Sequence, residues 1–552
     1  MSALVRILPL EASPPSLQDN TGDVDRLQRA IVARPEFAGT RLVLPYRQLP
    51  TVAAGFRRAG FRGAAVLNEV LPVAASEVEP DGQAYFELVD FLPAAPTCLP
   101  AMALDLGSTH LEAVLLDLLS GRELGRATRE NSQVVYGADI LSRVHLAAGK
   151  GGEATEGLGR LHRAVVSDVN ALAAELAGQA GLIKEEIRAL SVAGNTAMGH
   201  FFLNLNPYHL CREPYIPLVN APGPVAAVDL GLELHPAAPV HVLPGVGSYF
   251  GGDLLAGIVA CDLDLVAEPA MLIDVGTNAE VVVGCRDWLV ACAGAAGPAL
   301  EGGVAKMGMR AGEGVIERVR IDPAGGELSF QVIGAPPAVA ERGGGRQQAV
   351  GGVADRPKAR GICGSGMIDL MAELFLAGII DIRGKLRPER MGDRLLNGPD
   401  GPAFVVARPG EAADGRAVTV SQVDLDALMR SKAAMYAILG TLMDQVGLPF
   451  EELAKIHVAG AFGRHINPRQ AVVLGMIPDL PLDTYRSVGN SSLAGARRYL
   501  LEAPGRRRIH EISRSITYIE LNVNHEFMIR FSGSRFIPHT DRSLFPSVPL
   551  PE

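Results

Sequence analysis

The sequence predicts an α/β protein with two related halves behind a smaller α/β module. Composition is the first reason: 48% of the 552 residues are hydrophobic, 20% are charged and the mean hydropathy is +0.19, which suits buried strands and helices and not a solvated chain. The second reason is an internal echo. Met102 to Glu123 reads MALDLGSTHLEAVLLDLLSGRE and Met271 to Trp288 reads MLIDVGTNAEVVVGCRDW. Each is an apolar strand ending in Asp, a Gly-containing turn, a second apolar strand and a polar turn. A further pairing repeats the relation, because Leu190 to His200 (LSVAGNTAMGH) and Ile456 to His465 (IHVAGAFGRH) both run from a strand through a V-A-G turn toward a helix. Each half carries both elements, as two copies of one unit would.

At roughly 100 to 200 residues per domain the length allows about three domains. Residues 1–97 read as a small α/β module, with a Pro/Ser/Asp-rich opening at Ser13 to Asp25, a helix at Val24 to Arg34 and short strands at Arg41 to Leu44 and Gln83 to Leu92. Pro93, Pro96 and Pro100 then make a stiff connector, since proline fixes φ and disfavours helix at the residue before it. The first half follows at 98–266, the second at 267–502, and a tail at 503–552 packs on the preceding domain. Inside the second half, Gly361 to Gly366 (GICGSG) opens a helix at Met367 to Ala377 whose inner face is Ile368, Leu370, Met371 and Leu374. The glycine-rich, charged stretch Pro336 to Gly361 reads as a mobile surface insertion.

Charge and cysteine usage exclude several classes. A formal charge of -10 leaves no broad basic stripe for a nucleic acid backbone, and the cluster Arg506, Arg507, Arg508 reads as solvated surface. Met1 to Leu10 is too short an apolar run for a signal-peptide core. The uncharged stretch Leu234 to Gly252 carries Pro236, Pro239 and Pro244, so it reads as loops and short strands and not a membrane span. A cytoplasmic protein is expected, and a homodimer is compatible with the sequence. The six cysteines, Cys98, Cys211, Cys261, Cys285, Cys292 and Cys363, contain no C-x-x-C pair, which argues for small packed thiols over a disulfide framework or zinc site.

The repeated Asp-x-Gly-Ser/Thr turns suit a nucleotide. A triphosphate needs close backbone N–H donors, a hydroxyl, and a carboxylate able to hold Mg²⁺ directly or through water. In the first hairpin Gly107 allows backbone approach, Ser108 and Thr109 offer hydroxyls and amides, and Asp105 is the cation partner. In the second, Gly276, Thr277 and Asn278 repeat this with Asp274. A single such turn is also an ordinary Asx turn between strands; duplication is what points to a ligand. The V-A-G turns add Gly194, Asn195 and Thr196 in one half and Gly460, Ala461, Phe462 and Gly463 in the other, the latter suited to lie against adenine or ribose. Gly364, Ser365 and Gly366 are a third glycine turn whose amides would face a ligand. Asp253, before the apolar helix Leu254 to Ala260, is either a group that orients a water or hydroxyl for attack on the γ-phosphate or an N-cap. Glu280, Glu301, Lys306 and Arg310 are further charged candidates. No Walker lysine motif and no dinucleotide G-x-G-x-x-G is present.

Beyond these motifs the chain resembles the reductive activators of corrinoid proteins, ATP-dependent members of the acetate and sugar kinase, heat-shock chaperone and actin superfamily. The resemblance rests on LDLGSTHLEAVLLDL, NSQVVYGADILSRV, LSVAGNTAMGHFFL, LIDVGTNAEVVVG, AGPALEGG with KMGMRAGEGVIE, GICGSGMIDL, HVAGAFGRHINP and SVGNSSLAGARRYL, which together cover most of Met102 to Leu501. SPPSLQDNTGDVDRLQRAI resembles the start of the small middle domain of these activators, and ITYIELNVNHEFMIRFSGSRFIPH also fits them. The resemblance implies two actin-like (ribonuclease H-like) subdomains enclosing a nucleotide cleft, and an ATPase that drives reduction of a corrinoid carrier from Co(II) to Co(I). It places Mg-ATP phosphates at Asp105, Ser108, Asp274 and Thr277 and the adenosine beside Gly460, Ala461 and Phe462. Such activators commonly begin with a plant-type [2Fe-2S] domain, whose cluster needs four thiolates. Here no cysteine precedes Cys98, so no Fe-S cluster is expected in this chain and a separate ferredoxin-like protein would supply electrons. A small-molecule kinase and an ATP-gated binding module are the alternatives.

Overall fold

The computed structural model describes residues 3–71, 85–248, 250–276, 278–294, 305–309, 311–322, 326–334, 358–398, 401–460, 466–521 and 525–551. Of the residues singled out above, Thr277, Glu301, Arg310, Ala461, Phe462 and Gly463, and nearly all of the stretch from Pro336, lie outside the described residues. The chain forms two compact units, one of residues 1–262 with 491–516 and one of 263–490 with 517–552.

The first unit is organised on a six-stranded sheet in the order Glu123–Glu130, His110–Asp117, Pro100–Leu106, Leu190–Gly194, Pro239–Val242, Val225–Ala226. The first three strands are antiparallel, and Leu190–Gly194 is parallel to both of its neighbours. Strand alternation divides Pro100–Leu106 between two environments. Met102, Leu104 and Leu106 join the apolar cluster that includes Leu161, Val165, Val169, Leu172 and Leu176 of the helix Glu156–Gln179. Ala101, Ala103 and Asp105 lie on the face met by the helix Ser491–Leu501, from which Ser492 reaches Asp105. That helix packs tightly on Gly252–Ala260, since a Cβ at Gly495 would overlap the Ala256 carbonyl.

The amino-terminal module is a four-stranded sheet in the order Val5–Glu11, Arg62–Val70, Tyr85–Leu92, Leu42–Val43, with the helices Asp23–Val32 and Leu49–Arg58. Leu27, Ile31, Phe56, Leu67 and Leu88, all fully buried, make its core. Polar bonds tie it to the rest of the unit: Leu4 N donates to Leu500 O at 2.7 Å, and Arg188 Nη1 pairs with Asp90 at 2.6 Å. Arg506 is 0% exposed, ion-paired to the buried Glu69, and donates to Tyr499 O at 3.0 Å. The Arg506–Arg508 cluster is therefore not plain solvated surface: Arg507 is exposed, while Arg506 sits inside, where the Glu69 carboxylate helps to offset its desolvation.

The second unit repeats five of these strands, in the order Trp288–Gly294, Ala279–Cys285, Ala270–Val275, Lys455–Ala459 and Tyr485–Gly489, and adds its sixth, Thr517–Ile519, at the other edge, beside Trp288–Gly294. Two three-stranded sheets accompany it, Leu328–Val332/Val315–Ile321/Gly361–Ile362 and Leu395–Gly398/Gly401–Ala407/Val418–Ser421. The helix after GICGSG spans Gly364–Leu376 and is buried from Gly364 to Phe375, so it is enclosed all round and not amphipathic as its periodicity predicts. Its interior carboxylate Glu373 accepts from Ile321 N at 3.0 Å and Gln470 Nε2 at 2.6 Å, which is why it can be buried at all. The helix Gln422–Val446 starts with a Ser421/Asp424 capping box and stops at Gly447, φ 70°. Lys432 on that helix is fully buried and donates to the carbonyls of Phe536 at 2.6 Å and Pro538 at 2.7 Å. Among the described residues no helix is long and apolar enough to cross a membrane; the stretch from Leu234 contains the short strand Pro239–Val242.

Candidate nucleotide and metal site

In the first unit, Asp105 lies one residue from the end of its strand, opposite Glu112 in the antiparallel pair and Ala193 in the parallel one. Its Oδ1 accepts from Ser492 Oγ at 2.8 Å. The turn that follows is tight, since a Cβ at Gly107 would overlap the His110 carbonyl. Gly251 lets two loops touch: a Cβ there would overlap Gly194 O and Asn195 Cα. This close approach brings the start of the helix Gly252–Ala260, and so Asp253, up to the V-A-G turn.

Gly251 is the cap of that helix and Asp253 lies inside its first turn, so Asp253 is not the N-cap. Burial, with the nearby Asp105 charge, pushes its carboxyl up to about 7, within reach of proton exchange at neutral pH. Asn195 and Thr196 are occupied locally. Asn195 caps the helix Thr196–Phe202 by accepting from Met198 N at 2.9 Å, and Thr196 Oγ1 donates to Gly247 O and Phe250 O at 3.0 and 3.1 Å.

In the second unit, Asp274 is opposite Glu280 in the antiparallel pair and Ala459 in the parallel one. The register is that of Asp105: in both halves the aspartate is level with the alanine of V-A-G. Gly276 N donates to Asn278 O at 2.8 Å and closes the turn. Gly460 has φ +81°, and a Cβ on it would stand 2.7 Å from Val275 O and 2.9 Å from Asp274 Oδ1, so both conformation and space demand glycine. Lys306 N donates to Asp424 Oδ1 at 2.9 Å. Cys363 Sγ and Ser365 Oγ are 3.1 Å apart, and a Cβ at Gly366 would stand 2.5 Å from Ile316 O. Gly364, Ser365 and Gly366 are thus buried against the strand Val315–Ile321.

Each hairpin is therefore assembled with its own V-A-G turn, and Asp253 with the first. Sequence reasoning assigns no role to Ser492, Asn131, Gln133 or Arg143, all of which support the first hairpin. Their signal is present in NSQVVYGADILSRV and SVGNSSLAGARRYL, but nothing in those strings says that they meet Asp105 or its turn. Among the described residues no group of three or more His, Cys, Asp and Glu is placed to hold a metal.

Comparison with known proteins gives this geometry a family. Residues 268–549 match the family model described as the C-terminal, ASKHA domain of RACo, and residues 100–266 match the RACo middle region. The chain is similar to the corrinoid activation enzyme RamQ of Eubacterium limosum, with 30% identity over 450 residues covering 80% of this chain and 71% of that protein. It is also similar to the [Co(II) methylated amine-specific corrinoid protein] reductase of Methanosarcina barkeri, with 28% identity over 286 residues, 50% of this chain and 47% of that protein. The solved structure of a reductive activator for corrinoid, iron-sulfur protein superposes with a TM-score of 0.84 at 35% identity, covering 99% of this chain and 81% of that one. The chain belongs to the family of reductive activators of corrinoid proteins that carry an ASKHA domain.

Proposed function

We propose that this protein uses Mg-ATP to drive the reduction of a corrinoid carrier protein from Co(II) to Co(I), with electrons from a separate ferredoxin-like donor. The observation that carries the ATP reading is the shared register of Asp105 and Asp274 with the two V-A-G turns: two related chain segments present a carboxylate at the same place beside a glycine turn. When bound, Mg-ATP supplies the phosphoryl cleavage that makes an unfavourable reduction proceed.

The protein's own groups divide the work. Ser108, Thr109, Thr277 and Asn278 hold phosphate oxygens. Asp105, steadied by Ser492, and Asp274 are the carboxylates that would serve Mg²⁺, directly or through water. Each aspartate lies near a strand end beside a glycine turn, which suits an outer role, since Mg²⁺ keeps several waters. Asp253 orients the attacking water and takes its proton, for which a carboxyl pushed up to about 7 is suited. The reading of an external donor draws on the spacing of the six cysteines, none of which stands in a C-x₄-C-x₂-C run.

The test is spectroscopic. The protein is mixed with a cob(II)amide-loaded methyl-carrier protein, MgATP and a low-potential ferredoxin, and the visible spectrum is followed. ATP-dependent growth of the Co(I) bands is expected; their absence with several carriers overturns the corrinoid role. Phosphate transfer to a soluble hydroxyl or carboxylate compound, in place of inorganic phosphate release, would favour a kinase.

A further inference from the structure

Three successive carbonyls of the first hairpin turn are held by one short segment. Gly107 O accepts from Asn131 Nδ2 at 3.0 Å, Ser108 O from Arg143 Nη1 at 2.7 Å, and Thr109 O from Asn131 N at 2.9 Å. A trans peptide points its N–H opposite its C=O. Pinning these carbonyls to one side therefore turns the amides of Ser108 and Thr109 to the other, as a phosphate cradle needs.

Arg143 is the costly member of this arrangement. It is 0% exposed, and besides Ser108 it donates through Nε to Gly137 O at 2.9 Å and through Nη1 to Gln133 Oε1 at 3.3 Å. Gln133 is itself fixed, since its Nε2 donates to Leu161 O at 2.8 Å. Gly137 makes the room: a Cβ there would stand 3.0 Å from Arg143 Cγ. Nη2 of Arg143 has no hydrogen-bond partner among the described residues. The carboxylate that bears on its charge, Asp139, is spent on capping, accepting from Ser142 N at 2.7 Å. A buried guanidinium that meets carbonyls and an amide but pairs with no carboxylate is unfavourable by itself, so its bond to the turn is kept at a cost in stability.

We infer that Arg143 is a positioning residue of the first phosphate turn, holding the Ser108 carbonyl so that the Ser108 and Thr109 amides face the phosphate. This rests on the Mg-ATP reading above and adds that affinity depends on the number of phosphates through a residue outside the Asp-x-Gly motif.

The experiment compares binding of adenosine, ADP and ATP, the last two with Mg²⁺, by calorimetry to the full chain, to Arg143→Lys and to Gln133→Met, with Asp274→Ala as the reference. Wild-type binding of MgATP, weakened in Asp274→Ala, establishes the underlying reading; no MgATP binding by wild type removes that reading and the inference with it. Given binding, Arg143→Lys is expected to weaken MgATP at least about tenfold, as loss of the charge-assisted bond that holds the turn carbonyl lets the amides turn away from the phosphates, to weaken MgADP less, and to leave adenosine unchanged. Gln133→Met, which loosens the guanidinium without removing it, is expected to show the same graded pattern more weakly, and it carries the test if Arg143→Lys does not fold. Equal losses for all three ligands, or none, overturn the inference, because a merely structural role does not count phosphates.

Discussion

The two halves share a sheet and a register but not an environment. Asp105 and Asp274 occupy equivalent strand positions, each level with the alanine of a V-A-G turn. Around Asp105 the neighbours are side chains: Ser492 Oγ at 2.8 Å and the carboxyl of Asp253, which the Asp105 charge helps to push up to about 7. Against Asp274 lies glycine backbone, with the Cα of Gly460 so near that a methyl would stand 2.9 Å from Oδ1. Duplication thus preserved the backbone scaffold while the surroundings diverged. Under the proposed function the first half would move a proton and orient water, and the second would let a ligand approach bare backbone.

The largest expected effect tests whether the first half depends on its buried ion pair. Glu69→Ala takes the carboxylate away from the buried Arg506 guanidinium, and should cost about 3 to 5 kcal/mol, read as a fall in the urea midpoint. A loss under about 1 kcal/mol would mean that water replaces the carboxylate.

Next come paired glycine substitutions that set the two turns against each other. Gly460→Ala must adopt φ +81° and press on Val275 O, for about 3 kcal/mol of combined conformational and steric cost. Gly194→Ala meets Leu106 Cβ and O at 2.9 Å without a positive φ and should cost roughly 1 to 2 kcal/mol. Equal losses by thermal melting would erase the proposed difference between the turns.

Asp253→Asn should reduce ATP hydrolysis about 100-fold while MgATP affinity changes less than about threefold, the signature of a lost general base. A variant that hydrolyses ATP at the wild-type rate would assign that role elsewhere.

The smallest effect, over the single pH unit in which it is read, is a pH dependence that arises in the first unit. His241 is buried, its Nδ1 3.2 Å from Tyr499 Oη and its Nε2 3.3 Å from Asn68 Oδ1. Burial, with the charges of Arg506 and His510, pushes its pKa down to about 3. The unfolded chain therefore takes up a proton below about pH 6.5 that the folded chain refuses. Its contribution to stability is complete above about pH 6.5 and falls by about 1.4 kcal/mol per pH unit as the pH drops toward 3. His241→Asn should flatten the loss of melting temperature between about pH 6.5 and 5.5 by a few degrees; an unchanged slope would show that another group governs acid sensitivity.

Much of this fold is legible in the amino-acid sequence. Apolar runs ending in Asp-x-Gly mark the strand that carries Asp105, because continuous hydrophobic residues and a turn glycine are local features. The proline cluster Pro93, Pro96 and Pro100 marks the start of the first large sheet for the same reason. The enclosed helix Gly364–Leu376 reads as amphipathic in sequence, since Asp369 and Glu373 look like a polar face until their burial is seen. Arg506 reads as surface because its partner, Glu69, is hundreds of positions away in the chain.

Local chemistry in the sequence determined the duplication, the strand–turn–strand hairpins and the identity of their aspartates and glycines, because backbone sterics and hydrophobic periodicity act over a few neighbouring residues. Only the tertiary structure decided that Ser492 steadies Asp105, that Asp253 lies inside its helix and not at the cap, and that Arg143 stands beneath Ser108. Those pairings depend on how sheets and helices pack, and packing is set by contacts between residues far apart in the chain.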